Sequence, residues 1–366
     1  MSRVIWLAGS SDELARSLAA STHRALLDAG VEVALVDASA AAGRSRADRA
    51  GTLDDLTSGE ALLRGIAAEV AAGELGADLL VREAWAGLSC AGLPSAWRSV
   101  SHAVGRSEVV VVDGGSLERT RDLVVLPGIL ERAVSAFLTP RAAMWRSPSG
   151  RGHFDVLAAL RDEVATWTGL IQSPSTTLRL VTAPESADAH RVVDAAALLA
   201  MHGLAVDGLA VHRYPRRREA WPPDVRVEAE AALEVLQEGA QGCAVWRSTS
   251  RMRPAPKGRQ VLEQLADPGQ VPAVRPGSVV LVADGEDYLL DIPLREPARR
   301  QARLGTVSHA AVVALDDTHR WWELPPVLRR CRAVDATRTP TGWQVRWTPD
   351  VTVWPSSRGT GQGDVT

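Results

Sequence analysis

The chain has 366 residues and a formal net charge of −3 at pH 7, with 46% apolar and 23% charged residues. That balance is ordinary for a globular protein and gives no electrostatic case for nucleic acid or an anionic membrane surface as a partner. The three cysteines, Cys90, Cys243 and Cys331, lie far apart with no C-x-x-C pair, which argues against a disulfide framework or a zinc site and fits the cytoplasm; no apolar window is long enough for a membrane span.

Taken in order, VIWLAG (residues 4–9) reads as a buried strand. DELARSLAASTHRALLDAG places Leu14, Leu18, Ala25 and Leu26 at helical spacing, and Gly30 caps it. VEVALVD (31–37) is the next strand, which completes one βαβ unit. The Ala-, Arg- and Asp-rich residues 41–75 predict helix. SEVVVVDGG (107–115) is a buried strand that ends on an acid and a glycine turn. TTLRLVTAP (176–184) and VDGLAVHRYP (206–215) are two more strands, joined by a helix with Val192, Ala196, Leu199 and Met201 broadly on one face. Residues 228–240 predict another helix. Together these predict an α/β fold, a doubly wound parallel sheet.

The texture changes near residue 267, where DPGQVPAVRPG reads as a Pro/Gly linker. Short strands with DG, DD and TG turns follow and predict a small all-β sandwich. The expected organisation is an α/β domain over 1–266, a linker over 267–275, a β-domain over 276–354 and a disordered Gly/Ser/Thr tail over 355–366.

The turn after the first strand reads Gly9-Ser10-Ser11-Asp12-Glu13-Leu14-Ala15-Arg16. A working phosphate loop there needs glycines to wrap the phosphates, a lysine for their oxygens and a hydroxyl for magnesium. This turn has one glycine, no lysine and two acids, and Lys257 is the only lysine in the chain. Asp12 and Glu13 suit a helix N-terminus as ordinary capping residues. They also place negative charge where a triphosphate would lie. At an effective dielectric near 20, like unit charges 4 Å apart repel by about 4 kcal/mol.

At this point the chain resembles the ArsA-like ATPase family, which takes in the arsenical-pump and tail-anchored-protein-targeting ATPases. In particular it resembles the form with a C-terminal small-heat-shock-protein-like β-domain. Against the family's N-terminal GKGGVGKS segment and its helix, the chain keeps Gly9, Leu18, Ala19, Ala20, Thr22, Ala25, Ala29, Gly30 and Val36. Ser10 stands at the signature lysine, Ala15 at the catalytic lysine, Arg16 at the magnesium-binding hydroxyl and Ser39 at a following aspartate. VVVVDGGSLERTRDLVVLPGILERAV (109–134) is similar to the family's switch segment and matches at Asp113, Thr120, Leu126, Pro127 and Leu130. Asp113 corresponds to an acid of the magnesium shell, and also suits a turn cap. Gly115-Ser116-Leu117-Glu118 replaces the family's APTG. In the segment over 176–215, Pro184, Glu185, Arg191, Gly203, Val206, Asp207, Arg213 and Pro215 fall in register, and His212 replaces a base-contacting asparagine. APKGRQVL (255–262) and RWWELPPVLRRCRAVDATRTPTGWQVRWTPD (320–350) are similar to two further family segments.

The resemblance implies a P-loop NTPase-like, SIMIBI-type scaffold whose active-site chemistry is replaced. The positions at issue are Gly9, Ser10, Asp12, Glu13, Ala15, Arg16, Ser39, Asp113, His212 and Arg213. No catalytic residue, metal or cofactor is expected; Mg-ATP enters only if Arg chemistry or a partner in trans restores hydrolysis, as in an ATPase of anion transport or membrane-protein targeting. Expected partners are a second copy, an intact ArsA-type paralogue or a hydrophobic client protein. A small-molecule or lipid ligand in the vacated cleft is a third possibility. The basic run HRYPRRREAW (212–221) reads mainly as a solvated loop, with a binding patch for acidic partners as the alternative. Trp321 and Trp322 are adjacent in a strand and so point to opposite faces, which leaves one of them to be exposed.

Overall fold

The structure is a computed structural model that describes residues 2–39, 93–141, 151–212, 221–240, 243–247, 279–293, 302–307, 310–315, 318–339, 342–350 and 352. The expected helix over 41–75, the linker over 267–275 and the tail lie outside the described residues, as do Cys90, Arg213 and Lys257. The chain forms two compact units, one over Met1–Arg275 with Pro297–Arg299 and one over Pro276–Glu296 with Arg300–Thr366.

The first unit holds β1 (Arg3–Gly9), α1 (Asp12–Asp28), β2 (Val33–Asp37), α2 (Leu93–Val104), β3 (Val109–Ser116), α3 (Leu117–Arg141), α4 (Arg151–Gln172), β4 (Thr176–Thr182), α5 (Ser186–Met201), β5 (Ala205–Val211), α6 (Pro223–Gly239) and β6 (Ala244–Arg247). Six strands form one parallel sheet in the order β2-β3-β1-β4-β5-β6. Such a sheet is consistent with a P-loop NTPase-like fold. Side chains alternate faces along each strand. Val4, Trp6 and Ala8 of β1 join Val110 and Val112 of β3 in a core completed by α2 to α6. Ile5 and Leu7 face the other way, with Val111, and pack on Leu18, Ala19 and Leu26 of α1. The faces follow from the right-handed crossover rule: the chain moves one way from β1 to β2 and the opposite way in every later step.

Helix α1 begins where Ser11 accepts the Leu14 N–H on its hydroxyl, and ends at Ala29, followed by Gly30 at φ +79. Helix α6 begins earlier than its periodicity predicts because Pro222 and Pro223 suit a helix start, which needs no N–H there. Helix α3 runs through Pro127. A proline in mid-helix strips the N–H that would bond the carbonyl four residues back, here Leu123. The Trp97 indole N–H from α2 takes that carbonyl at 2.8 Å.

The second unit holds antiparallel strands β7 (Val280–Asp284), β8 (Asp287–Pro293), β9 (Arg303–Val307), β10 (Ala310–Leu315), β11 (Thr318–Glu323), β12 (Cys331–Thr339) and β13 (Gly342–Pro349). They form one sheet ordered β11-β10-β9 and another ordered β12-β13-β8-β7. Trp321 and Trp322 are both half-buried, so neither is the exposed ring their alternation suggests. The difference has a local cause: Trp321 stacks against His319 and the Arg320 guanidinium lies 5.6 Å from the Trp322 ring. Among the described residues, no helix is long and apolar enough to cross a membrane.

Candidate functional site

In an open α/β sheet, ligands settle at the carboxyl ends of strands where neighbouring connections leave on opposite faces. Here that place is the head of β1. Its connection runs to α1 on one face, while those of β3 and β4 run to α3 and α4 to α5 on the other.

The turn after β1 is closed by its own backbone. A Cβ on Gly9 would stand 2.9 Å from both the Ala15 nitrogen and the Ser11 oxygen, so only glycine lets the chain fold this tightly onto α1. The Ser10 N–H donates to the Val181 carbonyl at 2.9 Å, and the Ser10 hydroxyl accepts the Ala183 N–H at 3.4 Å. The Leu14 N–H donates to the Ser11 hydroxyl and the Ala15 N–H to the Ser11 carbonyl. The Ser10 and Leu14 N–H groups, two of the donors a phosphate could recruit around a helix N-terminus, thus have protein acceptors, and the Ala15 N–H makes the ordinary helical bond four residues back.

Asp12, the first residue of α1, carries its carboxylate over the end of β3. Its Oδ1 accepts the Ser116 N–H at 2.6 Å. Strand β3 is shaped to allow this. Its pairing with β1 skips Gly114, where a Cβ would collide with Thr120 Oγ1. Gly115 then turns to φ +77, and a Cβ on it would stand 2.9 Å from both Asp12 Oδ1 and the Ser39 Cβ. The Ser116 hydroxyl accepts the Arg119 N–H and so starts α3.

Asp113 is buried behind this turn. Its Oδ1 accepts the Gly115 N–H at 3.1 Å, and its Oδ2 lies 3.9 Å from Arg16 Nε. Burial pushes its carboxyl up to about 6, with the negative charges of Asp37 and Asp12 adding to the rise; the Gly115 N–H and the Arg16 guanidinium pull the other way. Ser39 donates its hydroxyl to Asp37 Oδ1 at 2.7 Å. Ala15 is fully buried, and Glu13 is exposed. His212 follows the end of β5, two strands from β1, and its backbone N–H donates to the Thr182 carbonyl. The structure therefore gathers Gly9, Ser10, Asp12, Ala15, Arg16, Ser39 and Asp113 around one turn. It adds Asp37 and Gly114 and brings in Gly115 and Ser116 of the segment that stands in place of the family's APTG. Among the described residues, no three acids, histidines or cysteines are arranged to hold a metal ion.

The raised carboxyl has a consequence for stability. Asp113 binds its proton more tightly folded, at about 6, than at the ordinary 3.8. Its contribution is fully present below pH about 4 and is lost as pH rises through 6. Asp113→Asn keeps an oxygen for Gly115 and carries no charge. At pH 7.5 it is expected to melt above the wild type, with the gap closing between pH 6 and 4. Thermal melts across that range check this; a variant that melts below the wild type at pH 7.5 would contradict it.

No family model matches the chain. An uncharacterized protein of Streptomyces coelicolor is 28% identical to it over 268 residues, which covers 69% of this chain and 68% of the relative. Among solved structures, the septum site-determining protein MinD of Pyrococcus horikoshii, complexed with Mg-ADP, aligns at 19% identity and a TM-score of 0.30, over 73% of this chain and 95% of that one.

Proposed function

We propose that the chain is a catalytically silent relative of the ArsA-like ATPases that works by binding protein partners. In this reading the first unit is a dimerising scaffold that takes no nucleotide, metal or other cofactor. The second unit is a small-heat-shock-protein-like domain, and the partner is a second copy or an intact ATPase paralogue, with a hydrophobic protein as client. The observation that carries the reading is the Asp12 carboxylate bonded to the Ser116 N–H at the head of β1 and β3. That carboxylate already accepts the backbone donor at the end of β3, and a phosphate brought there would meet its charge. Ala15, buried under Gly9, offers no cation in place of a lysine.

The test is phosphate release from Mg-ATP by the purified chain. Release at the level of buffer alone is expected, in the wild type and in Asp113→Ala alike. Release by the wild type that disappears in Asp113→Ala would overturn the reading and favour hydrolysis through an arginine such as Arg16.

A further inference from the structure

The turn at the head of β1 does more than refuse a ligand. It fastens three strands and three helices to one another. Ser10 reaches β4 through Val181 and through Ala183, the residue that follows the strand. Asp12 reaches the end of β3 at Ser116, across 104 positions of sequence. Ser116 caps the first turn of α3 through Arg119, and Glu118 in that turn pairs with Arg191 of α5 at 2.7 Å. Helices α1 and α3 lie on opposite faces of the sheet, so the bond from Asp12 to Ser116 couples the two faces at the carboxyl edge.

In nucleotide-switched proteins, a terminal phosphate commonly draws the backbone N–H groups of mobile segments together and releases them on hydrolysis. Here a side chain on the turn holds the equivalent kind of donor. We propose that Asp12 is a built-in latch: its carboxylate stands in for a bound anion and keeps the β3–α3 junction in one permanent state, so that the surface around the start of α3 is presented without a nucleotide. This rests on the reading of a nucleotide-free turn given above. The latch is specific in its geometry. Gly114 and Gly115 have no Cβ where one would meet Thr120 and Asp12, and Gly115 takes the left-handed φ that delivers the Ser116 N–H to Asp12.

Hydrogen–deuterium exchange of the full chain tests this on peptides covering residues 113–119. In the wild type these amides are expected to be protected, with the same rates with and without millimolar Mg-ATP. In Asp12→Ala they are expected to exchange on the order of tenfold faster, with peptides from the centre of β4 unchanged. Asp12→Asn, which keeps an oxygen acceptor, is expected to fall between. If residues 113–119 exchange in Asp12→Ala as slowly as in the wild type, the latch is wrong. If β4 loosens equally, the bond serves general stability and the latch is again wrong. A change in wild-type exchange on adding Mg-ATP would instead overturn the nucleotide-free reading, so the two failures are told apart.

Discussion

Replacing Asp207 with alanine is expected to cost about 3–5 kcal/mol of folding stability, although Asp207 lies far from the turn at the head of β1. Asp207 and Arg179 sit on neighbouring strands β5 and β4, each with its side chain 1% exposed. The Arg179 Nε lies 3.2 Å from both Asp207 oxygens and its Nη2 3.1 Å from Oδ2. A register shift after Leu178 places Asp207 in a bulge of β5, and Gly208 follows it. Gly208 has no Cβ because the Trp246 ring lies against it, where a Cβ would stand 2.0 Å from Cη2. Trp246 also sits 5.9 Å from the Arg179 guanidinium. The pair is thus desolvated by design of the backbone, and Asp207 also acts on a second cation, Arg3, whose burial holds its guanidinium below its ordinary value. Removing the acid leaves buried positive charge without its anion. Replacing both partners with apolar residues, as in R179M/D207L, is expected to recover most of the loss, because the desolvation cost disappears with the charges. Urea unfolding of Asp207→Ala, Arg179→Met and the double variant measures this. Single variants within about 1 kcal/mol of the wild type would show that the pair is solvated in practice.

Trp97→Ala is expected to be comparably severe, at about 3–5 kcal/mol. Trp97 is fully buried between Trp6 and Trp167, with ring centroids at 5.2 Å and 6.0 Å. Its removal opens a cavity beneath β1 and exposes a second defect. Leu123 has no N–H partner at Pro127, so its carbonyl depends on the Trp97 indole. Trp97→Phe separates the two effects. It retains most of the ring packing and orphans the carbonyl, which alone is worth about 1–3 kcal/mol. Hydrogen exchange along α3 should rise around residues 123–127 in both variants. A Trp97→Phe protein with wild-type stability would show that Leu123 finds another donor.

These two sites mark what sequence pattern makes legible and what it does not. The strands β1, β3, β4 and β5 read directly from their apolar runs because they are buried on both faces, while the edge strand β2 keeps an apolar run with Leu35 exposed. Helix α1 read from its spacing and its glycine stop. Helix α3 carries no such signal, because Pro127 disfavours a helix unless a donor arrives from elsewhere, and Trp97 lies 26 positions away. Strand β12 carries none for a different reason. It is an edge strand exposed along most of its length, so no burial enforces alternation on CRAVDATRT. At the candidate site, Asp12 and Glu13 stand out from the turn itself as two acids without a lysine, whereas the family resemblance singles out Ser10, Ala15 and Arg16. What these residues bond to is not legible there. The reach of Asp12 to Ser116 depends on Gly114 and Gly115 in β3, and a sequence shows two glycines without showing which carboxylate they admit.

On the proposed reading the α/β scaffold stands while the turn at the head of β1, with Asp12 bonded across it, takes no nucleotide. Isothermal titration of Mg-ATP into the purified chain is then expected to give no heat beyond dilution at millimolar nucleotide, for the wild type and for Asp113→Asn. A saturable one-to-one heat in the wild type, weakened when Arg16 is replaced by alanine, would contradict it.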